Sequence, residues 1–188
     1  MRGFLYMIIG PMCAGKSSKL VRLVRNFKNK KVNIKVYKHS IDTRFDAIEE
    51  ICSHDMVREP CISITNTKNI FDDPDYNLCE VIVIEEAQFF GDDIIEATHR
   101  IVNDNKYLIL AGLSGDFKMK PIGHINELIS FADKVDFLTA YCHFCDQCTD
   151  APFTLKMGGT SSVVEVGAEI YKPVCREHYI EHSVDETI

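Results

Sequence analysis

The stretch Phe4-Leu5-Tyr6-Met7-Ile8-Ile9-Gly10-Pro11-Met12-Cys13-Ala14-Gly15-Lys16-Ser17 decides the fold of this chain. Its last eight residues match the phosphate-binding loop pattern G-x-x-x-x-G-K-[ST] in full. In such a loop, backbone N–H groups converge on phosphate oxygens, and the following helix presents the positive end of its dipole. Lys16 can reach the β- and γ-phosphates, and the Ser17 hydroxyl can bind Mg²⁺. Residues 10–17 therefore predict a nucleoside triphosphate site.

The residues on either side of this loop agree with that prediction. Residues 4–9 form the continuous apolar run that is typical of a buried parallel strand. After Ser17, apolar residues recur at helical spacing with basic residues on the other face; they are Leu20, Val21, Leu23, Val24 and Phe27. The alternative, a glycine turn in another kind of α/β protein, fits this strand–loop–helix order poorly.

The remainder of the first 140 residues alternates between apolar runs and helical patterns. We expect strands at residues 32–37, 81–84 and 107–111. We expect a helix at residues 92–103 with Ile94, Ile95, His99, Ile101 and Val102 near one side, and mostly loop between Ser40 and Asn69. This alternation predicts an α/β protein in which a P-loop parallel sheet is flanked by helices on both faces.

Two acidic residues, Glu85 and Glu86, follow the apolar run at residues 81–84. The carboxyl ends of parallel strands meet at the ligand crevice, so this pair should face the phosphate loop. Glu85 would belong to the metal shell, and Glu86 would accept the proton of an attacking hydroxyl. The alternative is that both glutamates only cap a strand edge in water.

Composition and charge restrict the class of protein. The chain has 188 residues and a net charge of −7, whereas a dedicated nucleic-acid binder usually shows a basic face. The apolar run at the start is too short for a signal peptide and leads directly into the phosphate loop. No stretch approaches the length of a membrane span. We therefore expect a cytoplasmic protein without nucleic-acid or membrane partners.

Four cysteines and a histidine near the end of the chain suggest a metal site. Cys142-x-x-Cys145 and Cys175-x-x-His178 supply the two ligand pairs that tetrahedral zinc prefers. Cys148 could replace His178 as the fourth ligand, or all the thiols could be free. Because the sequence pattern also changes near residue 140, we expect a nucleotide-binding domain at residues 1–140 and a small zinc-binding β module at 141–188.

Taken together, these motifs resemble the type II thymidine kinase family, the cytosolic and poxvirus-like group. The resemblance covers nearly the whole chain. Pro11-Met12 inside the phosphate loop and the E-x-Q-F-F run are more specific than a phosphate loop alone. The motifs that match the family are residues 10–17, Asp42-Thr43-Arg44, Glu86-Ala87-Gln88-Phe89-Phe90, Lys120-Pro121-Ile122-Gly123 and the two metal-ligand pairs.

The resemblance implies a role for each matching residue. Glu86 is the general base, and Cys142, Cys145, Cys175 and His178 hold a structural zinc ion. ATP and Mg²⁺ are expected at Gly10, Pro11, Met12, Cys13, Ala14, Gly15, Lys16, Ser17, Asp42, Thr43, Arg44, Glu85 and Gln88. The nucleoside is expected beneath a zinc-supported lid, at Met12, Phe89, Leu113, Phe117, Thr154, Val163, Val164, Glu165, Val166, Gly167 and Tyr171.

The resemblance also implies an activity. This is transfer of the γ-phosphoryl group of ATP to the 5′-hydroxyl of thymidine, with deoxyuridine as a second substrate. It implies a homo-oligomer, either a tetramer or a dimer. Feedback inhibition by dTTP is a further property that the sequence leaves open. Glu85 and His178 depart from the family's usual Asp and Cys, and the lid segment differs in length. The alternatives are a P-loop kinase for another nucleoside or nucleotide, an ATPase whose zinc ribbon binds nucleic acid, and a non-catalytic ATP-dependent scaffold.

Overall fold

The computed structural model describes residues 2–42, 49–52, 56–146, 148–158 and 170–183. Within these residues, six strands form a parallel sheet. They are β1 (Phe4–Gly10), β2 (Ile34–His39), β5 (Ile62–Ile64), β6 (Val81–Glu85), β7 (Tyr107–Leu113) and β8 (Lys134–Phe137). Their spatial order is β5-β2-β6-β7-β1-β8, which confirms the predicted parallel sheet.

Helices cover both faces of this sheet because successive side chains of each strand point in opposite directions. Tyr6 and Ile8 of β1 pack with the buried side of α1 (Lys16–Asn29). Leu5, Met7 and Ile9 pack with α3 (Asp93–Asn103) on the other face. Two buried clusters therefore hold the sheet, and the carboxyl ends of β1, β6 and β7 form one edge beside the start of α1.

The second strand begins two residues later than the sequence predicted. Val32 donates its amide to the carbonyl of Phe27, and Lys31 adopts a left-handed backbone with φ 58°. These residues therefore end α1 and do not belong to the sheet. The alternation of apolar side chains through Val32 could not reveal this, because Val32 is partly buried against the same cluster as Ile34 and Val36.

The segment from residue 40 to 69, predicted as mostly loop, contains regular structure. A hairpin joins β3 (Glu50–Cys52) to β4 (Arg58–Pro60), β5 extends the sheet edge, and α2 (Lys68–Asp72) follows. Each of these strands has three residues, too few to show an alternating pattern. On α3, His99 is exposed, and its ring lies 4.0 Å from that of Phe131 between centroids, tilted by 44°.

The C-terminal part packs around a small cluster of its own. Its elements are β9 (Ala140–Tyr141), β10 (Asp150–Ala151), β11 (Phe153–Lys156), β12 (Tyr171–Val174) and α4 (Arg176–His182). Cys142, Ala151, Leu155, Val174, Cys175 and Tyr179 form its buried cluster. The domain boundary near residue 140 remains a prediction. None of the helices in the described part of the chain is long and apolar enough to cross a membrane.

Candidate functional site

The phosphate loop connects the carboxyl end of β1 to the first turn of α1. Cys13 and Gly15 both adopt left-handed backbone conformations, with φ 61° and φ 76°. The Lys16 ammonium donates to the carbonyl oxygens of Pro11, at 2.6 Å, and Gly10, at 3.2 Å. The lysine therefore folds back over the loop, with its charge at the loop's centre.

The start of α1 adds a second source of positive potential to this loop. Lys19 donates its amide to the Gly15 carbonyl, which is the first helical hydrogen bond. The preceding amides of a helix have no acceptor within the helix, so they form a positive end that attracts anions. Ser17 lies in this first turn, so its hydroxyl can serve a metal ion bound to the same anion.

Glu85 and Glu86 lie at the same sheet edge, at the end of β6. Their side chains are buried, with exposures of 4% and 6%. Glu86 takes a left-handed conformation, φ 54° and ψ 43°, and a single 3₁₀ turn (Ala87–Phe89) follows it. A left-handed residue other than glycine costs of the order of 1 kcal/mol and occurs preferentially at functional sites. The bend ends the strand directly after Glu85.

Gln88 connects Glu86 to the neighbouring strand. Its Nε2 donates to Glu86 Oε2 at 2.5 Å, and its Oε1 accepts from the Leu113 amide at 3.0 Å. Gln88 is 2% exposed. In this structure, its polar atoms therefore contact the predicted base and the end of β7.

The described residues predicted to bind the nucleoside lie between the sheet edge and the C-terminal part. Thr154, buried in β11, accepts the Met12 amide on its hydroxyl oxygen at 3.1 Å. The Phe117 and Tyr171 rings have centroids 6.5 Å apart. Leu113 ends β7 and Phe89 follows the Glu86 bend; both are half-buried. The bond from Met12 joins the phosphate loop to β11, and the ring contact joins Phe117 to β12.

Some predicted site residues lie outside the described part of the chain. They are Thr43, Arg44, Val163, Val164, Glu165, Val166 and Gly167. Asp42 is described and buried just after β2, where its amide donates to the His39 carbonyl at 3.1 Å. It therefore lies at the carboxyl end of a strand of the same sheet.

Three residues near the site were not predicted from the sequence. Lys38 is buried and is the register partner of Glu85 between β2 and β6. Lys156 lies over the rings of Phe117, at 5.0 Å, and Tyr171, at 5.6 Å. Tyr179 donates its hydroxyl to the Phe117 carbonyl at 2.7 Å. A lysine near the carboxyl end of a predicted buried strand was a usable signal for Lys38.

The four predicted metal ligands come together around one point. Their ligand atoms all lie within 4.8 Å of one another. The Cys145 and Cys175 sulfurs are 3.9 Å apart, and His178 Nδ1 lies 3.2 to 3.5 Å from the three sulfurs. Tetrahedral zinc separates its ligand atoms by about 3.8 Å for two sulfurs and about 3.6 Å for sulfur and nitrogen. The arrangement could therefore hold zinc, and it includes His178. Cys148 is exposed and, among the described residues, outside the group.

The surroundings of Cys142 favour the thiolate that a metal requires, whereas the pKa of Cys145 is raised, because its hydrogen bond with Thr149 is outweighed by burial and by the neighbouring Cys142 and Cys175 sulfurs. Burial raises the pKa of Cys142, but backbone amides of Cys175, Phe144 and Cys145 outweigh that effect, and the pKa falls to about 6. The Cys175 amide donates to this sulfur at 3.3 Å. The neighbouring Cys175 and Cys142 sulfurs in turn raise the pKa of His178.

Comparison with known proteins gives consistent results. The family model described as "Thymidine kinase" matches residues 3–179. Thymidine kinase a of Arabidopsis thaliana is 36% identical over 187 residues, covering 97% of this chain and 77% of that protein. Thymidine kinase of Rabbit fibroma virus (strain Kasza) is 36% identical over 178 residues, covering 94% and 96%. Thymidine kinase of Myxoma virus (strain Lausanne) is 37% identical with the same coverage.

A solved structure resembles the chain at the level of fold. It is the flagellar accessory protein FlaH from Methanocaldococcus jannaschii, with a TM-score of 0.52 at 15% sequence identity. The match covers 78% of this chain and 75% of that chain. At this identity the likeness concerns the arrangement of sheet and helices alone.

Proposed function

The chain belongs to the thymidine kinase family, and from this premise we propose that it transfers the γ-phosphoryl group of ATP to the 5′-hydroxyl of thymidine. The products are dTMP and ADP, and deoxyuridine is a second substrate. The observation that carries the proposal is the buried Glu86 carboxylate at the sheet edge where the phosphate loop also begins. A base beside a phosphate-binding loop is the arrangement that phosphoryl transfer to a hydroxyl requires.

ATP binds through the phosphate loop and the start of α1. The Lys16 ammonium bonds the carbonyls of Gly10 and Pro11 in the loop. When ATP binds, it exchanges these carbonyls for the β- and γ-phosphates. Asp42, Thr43 and Arg44 support the phosphates from the segment after β2. Ser17 and Glu85 would hold Mg²⁺, since both offer the oxygen ligands this ion prefers, and the ion would neutralise charge on the γ-phosphate.

Glu86 acts as the general base. The 5′-hydroxyl loses its proton as its oxygen attacks the γ-phosphorus, and a carboxylate within hydrogen-bond reach can accept that proton. The left-handed turn at Glu86 supports this role, because it turns the backbone away from β6 directly after Glu85.

Thymine binds between the rings of Phe117 and Tyr171 and the side chains of Met12, Leu113 and Phe89. Val163, Val164, Glu165, Val166 and Gly167 close over the base as a lid and contact it through their backbone. Zinc bound by the Cys142, Cys145, Cys175 and His178 cluster supports the ends of this lid. The short distances among those four ligands support the zinc assignment.

Three further properties belong to the proposal. The enzyme works as a homo-oligomer in the cytoplasm, and dTTP inhibits it by occupying the substrate site. The support for these properties is family membership. Size-exclusion chromatography with light scattering tests the first, and inhibition kinetics with dTTP test the last.

A panel of nucleosides tests the proposed activity. Purified protein is mixed with ATP, Mg²⁺ and thymidine, deoxyuridine, deoxycytidine, deoxyadenosine or deoxyguanosine, and products are separated by mass spectrometry. We expect dTMP as the main product and a much lower kcat/KM for purines, because a pocket that fits a pyrimidine with a 5-methyl group should exclude a larger bicyclic base. Equal kcat/KM for deoxyguanosine would favour a kinase for another nucleoside. ATP hydrolysis stimulated by single-stranded nucleic acid, without nucleoside product, would favour the ATPase alternative.

A further inference from the structure

Gln88 makes two hydrogen bonds whose directions differ. An amide side chain carries donors on nitrogen and an acceptor on oxygen, whereas a carboxylate only accepts and a backbone N–H only donates. The Glu86 carboxylate therefore requires the NH₂ group, and the Leu113 amide requires the carbonyl oxygen. Glutamine satisfies both partners at once, which neither glutamate nor methionine can do.

The second partner of Gln88 belongs to the rigid part of the sheet. Leu113 is the last residue of β7 and is the register partner of Gly10 in β1. The next residue, Ser114, donates its amide to the Gly10 carbonyl at 3.2 Å. Gln88 thus connects the Glu86 carboxylate, through the end of β7, to the first residue of the phosphate loop.

Two glycines from other parts of the fold leave room for Gln88. A Cβ atom at Gly112 would lie 2.6 Å from the Gln88 side-chain oxygen. A Cβ atom at Gly123 would lie 2.1 Å from the Gln88 carbonyl oxygen, and Gly123 has φ +56°. Both distances are far below contact, so any other residue at either position would displace Gln88.

Building on the proposed function, we propose that Gln88 is a positioning residue that acts through Glu86. Its amide fixes the orientation of the Glu86 carboxylate relative to the phosphate loop, so that the base and the γ-phosphate meet the same 5′-hydroxyl. Gln88 itself does not touch the reacting atoms. Orientation of this kind matters because a displacement of about 1 Å can cost about 100-fold in rate.

The test replaces Gln88 by methionine, which keeps the length and volume of the side chain but removes both hydrogen bonds. We expect kcat to fall by about 10- to 100-fold, while KM for thymidine and ATP changes by less than about 3-fold. In a Glu86→Gln background, the same substitution should lower kcat by less than about 2-fold. Non-additivity of this kind identifies residues that act as one unit.

Asn126→Ala is the matched control. The Asn126 side-chain amide donates to the Ser114 carbonyl at 2.9 Å. It therefore bonds the residue that follows Leu113, at the end of β7, without bonding Glu86. We expect its kcat to stay within about 2-fold of the wild type. Gly112→Ala perturbs Gln88 from the opposite side, and its effect on kcat should shrink in a Gln88→Ala chain. The added Cβ atom would also lie 2.6 Å from Cδ1 of the buried Ile125, so the loss that persists in the Gln88→Ala chain measures this second clash.

Other outcomes would overturn the inference. Equal losses of kcat with and without the Glu86→Gln substitution would show that Gln88 acts elsewhere. A raised KM for ATP with unchanged kcat would make Gln88 a nucleotide contact. If the wild type phosphorylates no nucleoside, the proposed function fails, but crystal structures still test whether Gln88 orients the Glu86 carboxylate. We expect one Glu86 rotamer in the wild type and several in Gln88→Met, and an unchanged Glu86 would overturn the positioning role.

Discussion

In the proposed function, the Lys16 ammonium of the phosphate loop binds the β- and γ-phosphates of ATP. We expect Lys16→Ala to lower kcat to below about a hundredth of the wild-type value, because the charge that develops in transfer loses its partner. Steady-state kinetics with thymidine measure this effect. Lys19→Ala is the control, since Lys19 lies on the same helix and pairs with Asp136. Wild-type turnover in Lys16→Ala would refute the phosphate-loop assignment.

Glu86 carries the proton transfer in the same proposal. Glu86→Gln keeps the size of the side chain but cannot accept a proton, so kcat should fall by about 10² to 10⁴ while thymidine binding survives. Pre-steady-state kinetics and isothermal titration separate the two quantities. The control is Glu96→Gln, an exposed residue on α3. If Glu86→Gln keeps more than about a tenth of kcat, the base is another group, most simply Glu85.

For single residues, the sequence could predict the sites whose partners are near in sequence. The phosphate loop and the Glu85–Glu86 pair are local patterns that follow strands recognisable by their apolar runs. The bond between Gln88 and Leu113 spans 25 residues, and that between Met12 and Thr154 spans 142. No spacing rule encodes such contacts, because they depend on strand order and on how the C-terminal part packs.

Among the elements, the hairpin of β3 and β4 packs against α1 through the buried Ile51 and through one carboxylate. Glu59 binds Arg25 and Lys28 at 2.6 Å each. Burial alone would raise the pKa of Glu59, but the bonds from Lys28 and Arg25 outweigh it and hold the pKa below the ordinary value of 4.5. The ionised form is therefore the one that stabilises the fold.

The pH dependence of stability tests this contact. Above pH 4.5 Glu59 contributes its full stabilisation, which is lost as the pH falls through the lowered folded pKa. We expect Glu59→Gln to lower the free energy of unfolding by at most about 1 kcal/mol at neutral pH, because both cations are half-exposed. This deficit should shrink in acid, as measured by urea unfolding.

The exposed pair of Glu50 and Arg58 in the same hairpin provides the control. Glu50→Gln should have a smaller effect at neutral pH than Glu59→Gln. A deficit for Glu59→Gln that stays constant with pH would show that the carboxylate charge contributes nothing. The hairpin also illustrates a limit of sequence analysis, since its three-residue strands are recognisable only once α1 provides their partner side chains.

For the whole molecule, the proposed function makes the metal cluster a support for substrate binding. Without zinc, the C-terminal part keeps only a small apolar cluster, so β11, β12 and α4 should lose their order. We expect Cys175→Ser, or removal of zinc by a chelator, to weaken thymidine binding far more than ATP binding. Isothermal titration with each substrate measures the two affinities, and metal analysis should give about one zinc per chain.

Three variants identify the fourth ligand. His178→Cys should keep the zinc and His178→Ala should lose it, whereas Cys148→Ser should behave as the wild type because Cys148 lies outside the cluster. Loss of zinc in Cys148→Ser with retention in His178→Ala would assign the fourth position to Cys148. Full activity of zinc-free protein would refute the structural role. The sequence predicted this cluster because two ligands separated by two intervening residues are a local signal.

The hydrogen bond from the Met12 amide to the Thr154 hydroxyl has a thermodynamic consequence. An amide has a single proton to donate, so in the proposed function a phosphate oxygen bound at the loop would compete with Thr154 for it. Any shift in this bond on thymidine binding must change the affinity for ATP by some factor, and linkage requires ATP to change the affinity for thymidine by the same factor. The two dissociation constants are then not independent quantities, and one hydroxyl on β11 sets part of both.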